Sequence, residues 1–148
     1  MADPTSLAAR SDALLGAFMG GAALAAAGVG IHHQLCHLLG GAYRLPHAEL
    51  HAVMLPHAVH FVAPAARPQL ARLAAGLGVG DVPGAIWDLG RQLGTPASLA
   101  ELGLAETELD RAATQAVARV VQTPRRAGVS ELWALLEAAW QGRRPPPT

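Results

Sequence analysis

The sequence predicts an all-α protein, a bundle of about six or seven helices, and three observations predict it. Apolar residues recur three and four positions apart through nearly the whole chain, which is the period of a helix face. No alternating apolar–polar run of convincing strand length interrupts that spacing. Glycine and proline fall at intervals of about one helix length, where they end one element and open the next. The chain has 148 residues, 51% of them hydrophobic and 15% charged, so it can fill one core and has no compositional reason to stay disordered.

The elements follow in order. Residues 6 to about 28 form the first helix, whose small residues (Gly16, Gly20, Gly21, Ala22, Ala23) allow another helix to come close. Residues 32–39 form a short second helix, closed by Gly40 and Gly41. Pro46 opens the third at its first position, and that helix runs past Leu55, with a kink expected at Pro56, to about Val62. Pro64 and Pro68 punctuate a connection before a helix over 69–77. A fifth helix spans 83–93 and ends at Gly94, and 98–102 make a short helical turn. Thr107 caps a helix running to about Gln122, with Asp110 near its positive end. Ser130 caps the last, where Leu132, Leu135, Leu136, Ala139 and Trp140 form the apolar stripe and Gly142 is the stop. Residues 1–142 thus read as a single helical domain, and 143–148 as a polar, proline-rich tail. No internal repeat is present.

Composition narrows the function. The formal net charge is zero and every cation is Arg, scattered except at Arg125–Arg126 and Arg143–Arg144. There is no basic stripe with interleaved aromatics, which argues against nucleic acid. The low charge favours an apolar surface covered by a partner. One cysteine, Cys36, excludes an internal disulfide framework and fits a reducing cytoplasm; beside His37 it reads as a small buried thiol. The uncharged stretch 13–31 approaches the length of a membrane span. Its Ala and Gly bring little transfer free energy and it runs straight into His32 and His33, so a buried core helix is expected instead, with no membrane. Asp3 and Asp12 flank a single Arg10, unlike the basic start of a signal peptide.

All seven histidines fall between His32 and His60. His33 and His37 lie four apart on one predicted helix, and His47 and His51 four apart on the next, so each pair shares a face. The turn between the helices can bring those faces together. Imidazole is the commonest protein ligand for zinc, suits iron, and titrates near neutrality. The four histidines therefore read as a metal-type or acid–base site, with hydrogen-bonded structural histidines as the alternative. Glu49 and Tyr43 are near enough in sequence to orient a ring or complete a shell. His57 and His60 read as structural. The spacing is not that of an HExxH metalloprotease, because Gln34 follows His33.

The run Gly30-Ile31-His32-His33-Gln34-Leu35-Cys36-His37-Leu38-Leu39-Gly40-Gly41, followed by Leu45-Pro46-His47-Ala48-Glu49 and Leu55-Pro56-His57, resembles the iron-containing alcohol dehydrogenase superfamily, and within it the maleylacetate reductases. The resemblance extends from about Ser11 to Gly142. It implies the carboxy-terminal, dehydroquinate synthase-like helical domain of a two-domain architecture whose amino-terminal α/β domain binds the nicotinamide cofactor. It implies that His33 and His47 are metal ligands, for iron or zinc, and that His37 relays protons. The remaining Asp and His ligands would lie upstream of Met1, leaving an incomplete shell on this chain. Gln34 stands where the resemblance leads us to expect a Lys. The glycine run 76–80 follows no strand and reads as a helix-ending loop, so NAD(P) would have to be supplied by a partner domain. The expected function is the helical half of a split oxidoreductase, with a separate cofactor-domain polypeptide as partner and a small-molecule substrate. One alternative is a non-redox enzyme, with a homo-oligomer completing the pocket, in which His33, His37, His47 and His51 perform isomerisation, dehydration or cyclisation. The other is a non-catalytic metal-binding or assembly module.

Overall fold

The computed structural model describes residue 3, residues 5–120 and residues 123–148. Among these are seven α-helices and no strand: α1 Leu7–Ala27, α2 Ile31–Tyr43, α3 His47–Val62, α4 Arg67–Leu77, α5 Val82–Gln92, α6 Leu109–Arg119 and α7 Val129–Trp140. Single 3-10 turns at Ala63–Ala65 and Glu106–Glu108 lead into α4 and α6. The all-α expectation is met.

Helix α3 is the axis of the bundle. It packs on α2, α5 and α7, while α6 closes the other side by joining α2 to α7. Leu35 and Leu39 of α2, Leu50 and Met54 of α3, Leu99, and Leu132 and Leu136 of α7 are fully buried. Each such side chain contributes roughly 1.5–3 kcal/mol of burial free energy. Trp140 ties the end of α7 to the loop before α6 by donating its indole N–H to the Leu104 carbonyl at 2.8 Å.

Several boundaries differ from expectation for reasons visible in the packing. Gly40 and Gly41 do not end α2, which continues to Tyr43. A Cβ on Gly40 would lie 3.7 Å from Leu50 Cδ2 and 3.9 Å from the Leu45 carbonyl, so this glycine sits at a helix–helix contact. The stop is Arg44, a non-glycine residue in the left-handed region at φ 55°. Pro46 is the N-cap of α3, and the helix runs through Pro56 to Val62. Thr107 lies within the 3-10 turn and makes no side-chain cap. The expected end of that helix at Gln122 lies outside the described residues. Helix α7 begins one residue before Ser130; its N-cap is Gly128, whose N–H is accepted by the Glu131 carboxylate at 3.1 Å. Residues 98–102 form the single turn expected, with the Leu102 N–H donating to the Ser98 carbonyl at 3.3 Å. The glycine loop after α4 is a helix stop as expected, with Gly78 left-handed and the Val79 N–H donating to the Ala74 carbonyl at 3.0 Å.

The largest correction is α1. Residues 13–31 were expected as a buried core helix, yet α1 has no buried residue. Leu7, Leu14 and Phe18 are more than 70% exposed. Ala and Gly fill most of its other positions, so no polar face contrasts with the large apolar residues to direct one side onto the bundle. The corner into α2 is held partly by Gln34, whose amide donates to the Val29 carbonyl at 3.0 Å. Among the described residues no single helix is long and apolar enough to cross a membrane.

The segment after α7 is anchored. The Arg144 guanidinium grips both oxygens of Asp88 at 2.9 and 3.0 Å and reaches Asp81 at 3.1 Å. Asp81 is the N-cap of α5, accepting the Gly84 N–H at 3.2 Å.

Candidate histidine site

The α2–α3 hairpin builds the site. Leu35, Cys36 and Leu39 turn one face of α2 inward, and Leu50, Val53 and Met54 do the same for α3. The histidines occupy the remaining face of each helix at the mouth of the hairpin. Five of them meet there. The His51 ring lies 4.6 Å from His33, 4.8 Å from His32 and 4.4 Å from His47, centroid to centroid. His37 lies 6.0 Å from His33 and is stacked on His47 at 6.1 Å. The cluster is graded in depth: His32, His33 and His51 are half-buried, while His37 and His47 are exposed on its rim.

Burial and four neighbouring imidazoles (His32, His33, His47 and His37) push His51 down to about 4. Its Nε2 is buried with no hydrogen-bond partner. His32 is also lowered, by burial first; the hydrogen bond to the His51 carbonyl opposes this and His33 adds to it. That hydrogen bond, His32 Nε2–H to the His51 carbonyl at 3.0 Å, assigns His32 the Nε2–H tautomer and leaves Nδ1 with a free lone pair.

Ligand-type nitrogens of His32, His33 and His51 all lie within 4.8 Å of one another. The donor set fits a zinc- or iron-type ion: three imidazole nitrogens, one tautomer set by a backbone carbonyl, and one buried nitrogen otherwise unsatisfied. The sequence singled out His33, His37, His47 and His51, and the structure brings all four together. It adds His32, which was passed over because it shares no i, i+4 partner with the others. The missing signal was tertiary, since the His51 carbonyl on α3 turns the His32 ring into the cluster.

The other candidates lie elsewhere. Glu49 is exposed and outside the convergent group. The Tyr43 hydroxyl looks towards Glu108 and Arg111 at α6; burial, and then the Glu108 charge, raise it. Cys36 is fully buried; burial pushes its thiol up to about 12, and Sγ faces the Leu50 carbonyl at 4.0 Å. His57 and His60 make no ring contact with the five. They line a separate cavity of about 950 Å³ with Arg67, Arg125 and Arg143.

This fold is that of a known family. The model of the Fe-containing alcohol dehydrogenase family, C-terminal, matches residues 1–140, and the chain belongs to that family. Within it the likeness is to maleylacetate reductases. Maleylacetate reductase 1 of Rhodococcus opacus is 42% identical over 146 residues, covering 99% of this chain and 41% of its own. The Burkholderia cepacia maleylacetate reductase is 46% identical over 144 residues, covering 97% of this chain and 41% of its own. Among solved structures, an iron-containing alcohol dehydrogenase from Corynebacterium glutamicum superposes with a TM-score of 0.89 at 34% identity over 97% of this chain and 41% of that one. Maleylacetate reductase from Rhizobium sp. strain MTP-10005 gives 0.75 at 45% identity, over 80% and 33%. The chain therefore spans about two-fifths of the length of the relatives it matches.

Proposed function

We propose that this chain supplies the histidine-bearing half of a nicotinamide-dependent reductase site acting on a small dicarboxylate of the maleylacetate type, the nicotinamide being held by a separate domain or polypeptide. The observation that carries this reading is the five-histidine cluster, set at the mouth of the α2–α3 hairpin in a chain resembling maleylacetate reductases. The described residues include no strand that a phosphate-binding glycine loop could follow, so the cofactor's seat is assigned to the partner. The exposed apolar residues of α1, Phe18 and Leu14 among them, support a surface covered by that partner.

A bound nicotinamide supplies a hydride to the substrate carbon. The oxygen or carbon left with negative charge then needs a proton and a stabilising donor, and those are what this chain offers. His33 and His51, half-buried in the cluster, and His47 on its rim would meet that charge. His37, on the rim, carries the proton between solvent and the inner rings. Positioned proton transfer of this kind is worth roughly 10²–10⁴-fold in rate.

The test is reconstitution. The chain is co-expressed with neighbouring gene products that carry a nicotinamide-binding domain, and nicotinamide oxidation is followed with maleylacetate. Turnover is expected in the complex and not in either part, with His37→Ala lowering it by about 10²-fold or more. A complex that forms and oxidises no nicotinamide with any keto-dicarboxylate overturns the reading. A second reading, general acid–base catalysis without redox, is favoured by one observation: five imidazoles gather on this one helix hairpin. Turnover of an isomerisation or dehydration substrate by the chain alone, lost in His37→Ala and His47→Ala, would establish it.

A further inference from the structure

We propose that the cavity at the far end of α3 binds a small organic carboxylate with an apolar body, the carboxylate being held by Arg67, Arg143 and His57. The site is separate from the histidine cluster, and the proposal stands independently of the reductase reading. At about 950 Å³ the cavity has the size of a small-molecule site. It lies between α4 and α7, with the last turns of α3 lining it through His57, His60 and Phe61. Helix α4 packs on α5 and on the 3-10 turn before it. The segment beyond α7, pinned by Arg144 to Asp81 and Asp88, brings Pro146 and Pro147 to the remaining side.

Charge, an orphaned nitrogen and the apolar walls together give the class of ligand. Four arginines line the cavity, Arg67, Arg125, Arg143 and Arg144, against one carboxylate, Glu131. Two of the four are committed: Arg125 to Glu131 and the Phe61 carbonyl, and Arg144 to its two aspartates. Arg67 makes no ion pair among the described residues. Arg143 engages Glu137 through one nitrogen at 2.6 Å and keeps its other donors. Arg67 is also the first residue of α4, and Ala66 gives that helix no side-chain cap, so its positive end is open to an anion.

His57 lines the cavity while only 3% exposed, and its Nε2 is buried without a hydrogen-bond partner. Burial, then His60 and Arg143, hold this ring down to about 4, so it is neutral at pH 7 and keeps one N–H to donate. A buried nitrogen of this kind calls for a partner, and a carboxylate oxygen is one. His60, one turn further along α3, leaves Nδ1 unpartnered as well. The rest of the wall is apolar, with Leu70, Ala74, Val82 and Leu135. A bare inorganic anion would leave that wall wet, whereas a hydrocarbon body covers it.

The full chain is titrated by calorimetry with octanoate, with octanamide and with inorganic phosphate. One octanoate per chain is expected, bound at least about 10-fold more tightly than either octanamide or phosphate. Arg67→Gln, Arg143→Gln and His57→Leu should each weaken octanoate by about 10-fold. Ala71→Trp, at an exposed position of α4 that lines the cavity, should fill it and abolish saturable binding. That variant also separates the cavity from the exposed apolar residues of α1, which it leaves untouched. Circular dichroism checks folding; should His57→Leu fail to fold, His57→Phe replaces it with the same expectation. The proposal is overturned if octanoate shows no saturable binding, or if octanamide or phosphate binds as tightly. It is equally overturned if octanoate affinity is unchanged in any one of the four variants.

Discussion

His51 shows how much a single position decides in this molecule. Its carbonyl orients His32, its ring touches three other imidazoles, and its own Nε2 has no partner. It is also one of two histidines driven down to about 4; the other is His57, buried at the far end of α3 and lowered by burial first, then by His60 and Arg143. Both groups are less basic folded than unfolded. Their contribution to stability is therefore complete above the unfolded value near 6.5 and is lost as pH falls through the folded value near 4. For His57 the full effect is on the order of 3 kcal/mol. Urea midpoints measured at pH 7 and pH 4.5 should fall together with pH, and His57→Leu should flatten that fall; an equally steep acid limb in the variant would refute the assignment. Gly84 makes a second residue-scale prediction. A Cβ there would come within 2.0 Å of Asp81 Oδ2 and 2.2 Å of the Arg144 guanidinium. Those are side-chain ends that can swing aside, so Gly84→Ala should cost the Asp81 cap, about 1 kcal/mol, without disturbing the backbone of α5. Thermal melts compared with Asp81→Ala check it, since the two losses should not add.

At the scale of elements, α2 and α3 hold the site and α1 stands apart from them. Leu35→Ala removes a fully buried side chain from the α2–α3 contact and should cost about 2–5 kcal/mol. Phe18→Ser on α1 should change the unfolding free energy by no more than about 0.5 kcal/mol, because that ring is 73% exposed. A comparable loss from both substitutions in denaturant titrations would mean that α1 packs on the bundle in solution. Cys36 reports on the same hairpin. With its thiol raised to about 12 and fully buried, it should react with a disulfide reagent only as fast as the hairpin opens. Much of this level was legible beforehand. The i, i+4 spacing of His33–His37 and His47–His51, together with the turn expected at Gly40–Gly41 and the helix start at Pro46, already implied two helices folded back with their histidines on one side, although the break itself falls at Arg44. The caps were less legible. Thr107 and Ser130 are favourable cap residues by type, but α6 is entered through a 3-10 turn and α7 begins at Val129 with the Glu131 carboxylate accepting the Gly128 N–H.

For the whole molecule, the unresolved physical problem is the exposed apolar surface of α1. Leu7, Leu14, Leu15, Phe18 and Met19 face solvent on one helix. The chain alone is expected to self-associate, and Leu14→Ser combined with Phe18→Ser should shift it towards monomer in size-exclusion chromatography with light scattering. A chain that is already monomeric at high concentration would contradict this. The sequence by itself determined the class of the fold, the helix hairpin and the concentration of histidines upon it, because helical period and residue spacing are local properties of the chain. Only the tertiary structure decided which histidines converge and which merely flank, that His32 joins them, and that α1 lies outside the core. Those outcomes depend on distances between helices and on what surface is available to cover an apolar face, and neither is written in the spacing along one chain.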